Sequence, residues 1–335
     1  MTTMESPPPD LLNPLVAVRR STADVLDQSR HVSINEAAVR DLAASWVEEG
    51  APRALEEQIG WENCGWHYSE DIASGGKRTC QYIFVLDCMN FCFWPTLGLE
   101  YEHWACGLKS ALEKDPCLLT AENLMSMDEK TLRGWFSGFD VPQASERVLK
   151  LRELGAVLAG HFDGEAIRMI ERADGSASRL VRLVVSFLPG FRDETIYRGK
   201  QCFFYKRAQI LAGDIWAAFG RQRASPGNPF GFDDVGDLTM FADYRIPQIL
   251  SHLNVMEYSY TLRQRIGSLE EIMAGSEEEV EIRAGCVQAV ELLRAECAIR
   301  GLNLKSVEID WLLWHKGEDA KADICPHHRT LTIFY

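Results

Sequence analysis

A chain of 335 residues with 46% hydrophobic content can bury a large core, as one compact domain over 11–335 or as two abutting lobes, about 11–140 and 141–335. Acidic residues outnumber basic ones 49 to 35 and the formal net charge is −14. That balance argues against direct nucleic-acid binding, because a protein that grips a phosphate backbone neutralises it with a basic stripe. No apolar run approaches the ~18 residues of a membrane span, and no charged segment precedes an apolar signal core. A soluble, cytoplasmic, monomeric protein with no membrane partner is expected.

In chain order, MTTMESPPPD (1–10) is polar and proline-rich and is expected to be a disordered tail. NPLVAVRRSTADVLDQ predicts a helix with Asn13 as N-cap and Pro14 at its first position, and INEAAVRDLAASWVEEG spaces Ala38, Leu42, Trp46 and Val47 at helical intervals before Gly50. Between Trp61 and Thr79, aromatics, acids, His67 and a glycine pair read as a loop suited to lining a cavity. QYIFVLDCMNFCFWP is apolar except for Asp87 and Asn90, which are either internal braces or the polar end of a pocket. TAENLMSMDEKTLRGWF and QASERVLKLRELGAVLAGHF read as helical scaffold. From Arg179 to Gly220 the pattern predicts two buried helices joined at Pro189 and Gly190, with YKRAQ entering the second. Here Arg192, Lys200, Lys206 and Arg207 concentrate positive charge, either for an anion or phosphate or as a solvated face paired with acids.

A Gly- and Pro-rich loop then leads into DLTMFADYRIPQ, which sets Phe241, Asp243, Tyr244 and Arg245 side by side before Pro247. The proline predicts a helix starting at Pro247, with Asp243 in the turn that feeds it. There the carboxylate can point into a cavity beside partly positive backbone N–H groups and face a developing cation, or else pair with Arg245 at the surface. EEEVEIRAGCVQAVELLRAECAIRG predicts a long helix with its acids at the start, KSVEIDWLLWHKGED puts Asp310 and Trp314 on one helical face with His315 beside them, and CPHHRTLTIFY is β-prone. Ten cysteines without a CxxC pair, several inside apolar runs, suit reduced thiols. Cys325, His327 and His328 make half a metal site with no partner cluster, and no P-loop, GxGxxG, GxSxG or HExxH motif is present. No metal or cofactor is expected.

Together VLDCMNFCFW, FRD with YKRAQ, LTMFADYRIPQ, EVEIRAG, EIDWLLW and HRTLTIFY resemble the queuosine salvage family, in order along nearly the whole chain. The resemblance implies a mainly α, compact multi-helix fold similar to helix-hairpin-helix DNA glycosylases, with a few short strands. It implies an N-glycosyl hydrolase that releases queuine and ribose 5-phosphate from queuosine 5′-monophosphate, feeding queuine back into tRNA. It also implies Asp243 as the catalytic group, Phe241 as a base-contacting aromatic, His67 as a ligand contact, and Asp310 with Trp314 in the base pocket. His315 falls where some relatives have an acid. Tyr244, Asp87 and Asn90 are further substrate-binding candidates, and Lys206 and Arg192, on charge alone, are candidate partners of the 5′-phosphate. Two alternatives stay open: a non-catalytic queuine-binding protein, and a polynucleotide base glycosylase, which would need a basic groove.

Overall fold

In the computed structural model, which describes residues 13–51, 61, 64–70, 76–136 and 138–335, local signals in the sequence set where most helices begin. Asn13 Oδ1 accepts the Leu15 N–H at 3.0 Å and starts α1 (Pro14–Leu26) with proline at its first position, where a missing N–H costs nothing. Asn35 does the same for α2 (Glu36–Glu49), which stops at Gly50 with φ 70°. The expected tail over 1–10 lies outside the described residues.

The remaining helices are α3 (Lys77–Cys88), α4 (Tyr101–Lys114), α5 (Ala121–Met125), α6 (Glu129–Trp135), α7 (Ala144–His161), α8 (Ala166–Ala173), α9 (Ala177–Phe187), α10 (Lys206–Ala218), α11 (Arg245–His252), α12 (Tyr260–Gly267), α13 (Glu277–Ile299) and α14 (Ser306–Asp319). The fold is mainly α, as expected. Its strands are short: β1 (Val32–Ile34) pairs antiparallel with β4 (Met256–Tyr258), and β2 (Glu194–Tyr197) with β3 (Lys200–Phe203). Among the described residues no helix is long and apolar enough to cross a membrane.

Three expectations need correction. The single helical run over 120–136 is two helices, because Asp128 accepts the Thr131 N–H at 2.7 Å and starts α6 afresh. The two helices expected between Arg179 and Gly220 are present as α9 and α10, but the β2–β3 hairpin is inserted between them. Arg198 and Gly199 turn this hairpin with φ 47° and 80°, the geometry of a two-residue primed turn. The β-prone segment at 325–335 forms no strand beyond an isolated bridge between Glu271 and Arg329. Its alternation is real, since His328, Thr330 and Thr332 are buried, but its carbonyls are met by other donors: Trp94 Nε1 reaches Thr330 O at 3.1 Å and Gln143 Nε2 reaches Thr332 O at 3.1 Å.

The core wraps α13 and α10. Gly285 lets α13 lie against the β1–β4 pair, for a methyl there would come within 2.8 Å of Val32. Cys88, Cys92 and Cys202 are buried free thiols, as expected. Two buried arginines hold the segment after α3. Arg147 donates to the carbonyls of Pro142, Phe91 and Cys92, Arg207 to those of Asp87, Cys88 and Gly190, and the Phe91 ring lies 4.3 Å from one guanidinium and 5.0 Å from the other. That braced segment is one wall of the cleft.

Candidate active site

A cleft whose empty space is about 1090 Å³, open solvent at its mouth included, is lined by aromatic and charged side chains. One face of α10 lines it with Lys206, Ile210, Asp214 and Ala217, and α14 contributes Asp310, Trp311, Trp314, His315 and Glu318. Phe241, Asp243, Tyr244 and Arg245 form a third side, Asn90 to Phe93 a fourth, and Trp61, Trp66, His67 and Tyr101 complete it.

Asp243 owes its position to the helix that follows. Its Oδ1 accepts the N–H groups of Arg245 at 2.8 Å and Ile246 at 3.0 Å, so α11 begins at Arg245, two residues before the proline expected to open it. Pro247 stays within the first turn, where its N–H is not needed. Asp243 keeps some exposure because it looks into the cleft, yet the surrounding protein desolvates it. Burial raises its pKa, opposed by the Lys206 ammonium and then by the two capping N–H groups. Asp310 is held by the Phe241 N–H, which donates to its Oδ1 at 2.9 Å, and burial together with the Asp243 charge pushes its pKa well up. Lys206 is itself buried. Desolvation lowers its pKa, Asp243 and Asp87 oppose that, and its Nζ donates to Asn90 O at 3.2 Å.

His67 lies flat on Trp61, ring centroids 3.8 Å apart at 14°. Its Nδ1 is 3.2 Å from Trp61 O, which can only accept, so Nδ1 carries the proton; Nε2, 3.0 Å from Tyr101 Oη, therefore accepts the phenol proton. Burial pushes its pKa down to about 4, and the ring is neutral near pH 7. Trp314 meets Trp66 edge-on at 6.0 Å and His315 at 5.2 Å, so one wall of the cleft is aromatic.

The sequence of residues 67–335 matches the family described as queuosine salvage protein. The chain belongs to that family. It is similar to a Dictyostelium discoideum protein named queuosine 5′-phosphate N-glycosylase/hydrolase, 45% identical over 97% of this chain and 100% of that protein. Proteins of the same name from Sphaerobacter thermophilus and Mus musculus are 40% and 30% identical, covering 98% and 97% of this chain and 99% and 100% of their own lengths.

Most of the candidate site residues meet in the cleft: His67, Phe241, Asp243, Asp310, Trp314 and His315, with Asn90, Tyr244 and Lys206 beside them. Two do not. Asp87 lies behind the wall, wholly buried, bracing Asn90, whose Nδ2 donates to its Oδ1 at 3.3 Å. Arg192 is exposed away from the cleft, because it closes the single turn Pro189–Phe191 that follows α9 and folds back on that helix's end, donating to Val185 O at 2.7 Å and Ser186 O at 3.0 Å. The basic run also divides: Lys200 faces solvent near Asp24, and Arg207 is sealed in the core. Cys325 is exposed while His327 packs on Tyr244 and His328 is buried. The cluster His31, Glu277 and Glu281 has metal-like spacing, but Glu281 already accepts from Ser29, Arg30, His31 and Tyr197.

Sequence reasoning missed Asp214, hidden in the apolar ILAGDIW. Its spacing of eight from Lys206, with Ile210 between, was the available signal. The loop from Trp61 lines the cleft as expected, with Trp61 and Trp66 beside His67, but Tyr101 was missed because its role depends on how that loop packs against α4.

Proposed function

We propose that this chain hydrolyses the N-glycosidic bond of queuosine 5′-phosphate, the compound for which its relatives are named, releasing the 7-deazaguanine base queuine and ribose 5-phosphate. The observation that carries the reading is Asp243: a carboxylate whose Oδ1 is fixed by two backbone N–H groups inside an aromatic-walled cleft. Breaking the C1′–N9 bond builds positive charge on the ribose. An ionised carboxylate held in place stabilises that charge without reorganising, and Lys206 helps to keep it ionised. Phe241 and Trp314 hold the ring. Asp310 accepts from the guanine-like N–H edge, whose donors offset the burial that disfavours its charge. Lys206 is enclosed by carboxylates and Arg245 is paired with Glu318, so the 5′-phosphate is assigned to Arg221, the other guanidinium lining the cleft.

The test is chromatographic detection of free queuine after incubating the protein and its Asp243→Asn variant with queuosine 5′-phosphate and, in parallel, with queuosine. Release by the unmodified protein, faster from the phosphorylated compound and nearly abolished in the variant, is expected. Binding of both compounds without release would instead make this a queuine-binding protein.

A further inference from the structure

The cleft is lined by three aspartates, and the protein treats them differently. Asp243 receives two backbone N–H groups and Asp310 receives one. Asp214 is buried, and its Oδ2 has no hydrogen-bond partner among the described residues. An ionised carboxylate in that position would be desolvated with no donor to that oxygen among the described residues, so the neutral acid is favoured. The groups around it point the same way. Asp87 on α3 and Asp310 on α14 act on it in that direction, the Tyr82 and Tyr101 phenols near it are neutral and committed to Ala105 O and His67 Nε2, and Lys206, two turns back on its own helix, is the cation among the described residues that opposes the two acids. Burial first, then the Asp87 and Asp310 charges, raise its pKa well above the ordinary carboxylate range.

The chemistry of the proposed substrate leaves a need for such a group. A 7-deazaguanine has carbon where guanine has N7, so the departing base cannot be activated by protonation there. His67 is unsuited to the task, since it is neutral, with Nδ1 occupied by Trp61 O and Nε2 by the Tyr101 hydroxyl.

Resting on the function proposed above, we propose that Asp214 is a second catalytic residue, a general acid that donates its proton to a ring or carbonyl acceptor of the leaving base while Asp243 faces the sugar. The C1′–N9 pair of electrons moves onto the base, the Asp214 proton neutralises it, and water bonds to C1′. The proton released from that water returns the carboxyl of Asp214 to its acid form by way of solvent, so each turnover restores the site.

The experiment compares the unmodified protein with Asp214→Asn and Asp214→Ser on two substrates: queuosine 5′-phosphate, and 7-methylguanosine 5′-phosphate, whose base already carries positive charge and leaves neutral. On the first substrate kcat is expected to fall by about 10²–10⁴-fold in both variants, the range for loss of a positioned proton donor, with KM nearly unchanged. The fall in kcat as pH rises through the Asp214 pKa should disappear as well. On the second substrate the variants should match the unmodified protein, which also shows that they are folded. Equal losses on both substrates, or no loss on the first, overturns the assignment while leaving the proposed function standing. No release from queuosine 5′-phosphate by the unmodified protein overturns both.

Discussion

Two buried ionic clusters touch the Asp243 segment, and they differ in how completely they are bonded. Around Arg283, both oxygens of Asp193 accept guanidinium N–H groups at 2.9 and 2.5 Å, Ala242 O accepts Nε–H at 3.0 Å, and Glu279 is 3.5 Å away. The rings of Phe204 and Tyr335 lie 4.0 and 4.2 Å from the guanidinium, and Gly275 N donates to Glu279. Around Lys206, by contrast, Asp87 and Asp214 each keep a buried oxygen without a partner among the described residues. The first cluster is finished by the protein itself; the second is not, and of its two incomplete acids only Asp214 lines the cleft, Asp87 lying behind the wall. They are also joined, because Arg283 holds the carbonyl next to Asp243 while Asp193 Oδ2 accepts the Lys206 N–H at 3.1 Å. The complete cluster sets the geometry of the incomplete one.

That contrast is sharpest at Asp243→Asn. An asparagine oxygen can still cap Arg245 and Ile246, so melting temperature should barely move, while kcat drops by roughly 10³-fold or more, about 4 kcal/mol of transition-state stabilisation. A protein that melts far earlier would place Asp243 with the structural cluster instead. Asp193→Ala should behave oppositely. It strands a buried guanidinium and should cost about 3–5 kcal/mol in denaturant unfolding, so a loss below about 1 kcal/mol would show that the Arg283 cluster holds little together.

How much of this was legible in the sequence follows the same division. The cap at Asn13, and helical spacing before Gly50, placed the first two helices correctly, and DLTMFADYRIPQ marked the turn that carries Asp243 into the cleft. The start of α11 was misplaced because its cap comes from a side chain, Asp243, and not from the proline. Arg192 and Lys206 read as one basic patch because nothing weighed Arg198 and Gly199 as a turn, and that hairpin separates them. Asp214 escaped because a lone acid in an apolar helix has meaning only once Asp87 and Asp310 are brought beside it by α3 and α14.

Smaller effects probe the border between the clusters. A methyl added at Gly213 would lie 2.9 Å from Phe241 Cζ, so Gly213→Ala should tilt that ring and raise KM by about tenfold, with kcat less affected, in steady-state assays. Lys206→Met removes the cation that opposes burial at Asp243. Since the ionised carboxylate is the active form and its pKa is already raised, activity falls as pH drops through that pKa, and the acid limb of the kcat/KM profile should move to higher pH in the variant. An unmoved limb would mean that Lys206 does not govern Asp243. Arg192→Ala should be nearly silent, with KM for queuosine 5′-phosphate within about twofold, because its guanidinium lies outside the cleft and donates to the end of α9.

The arginines on either side of Phe91 have a consequence for turnover. Arg147 and Arg207 hold their wall of the cleft through peptide carbonyls, which neither gain nor lose protons, and Arg147 stays charged near neutral pH even though burial brings its pKa down to about 9. A change of protonation at the carboxyl groups that line the cleft would therefore leave these contacts in place.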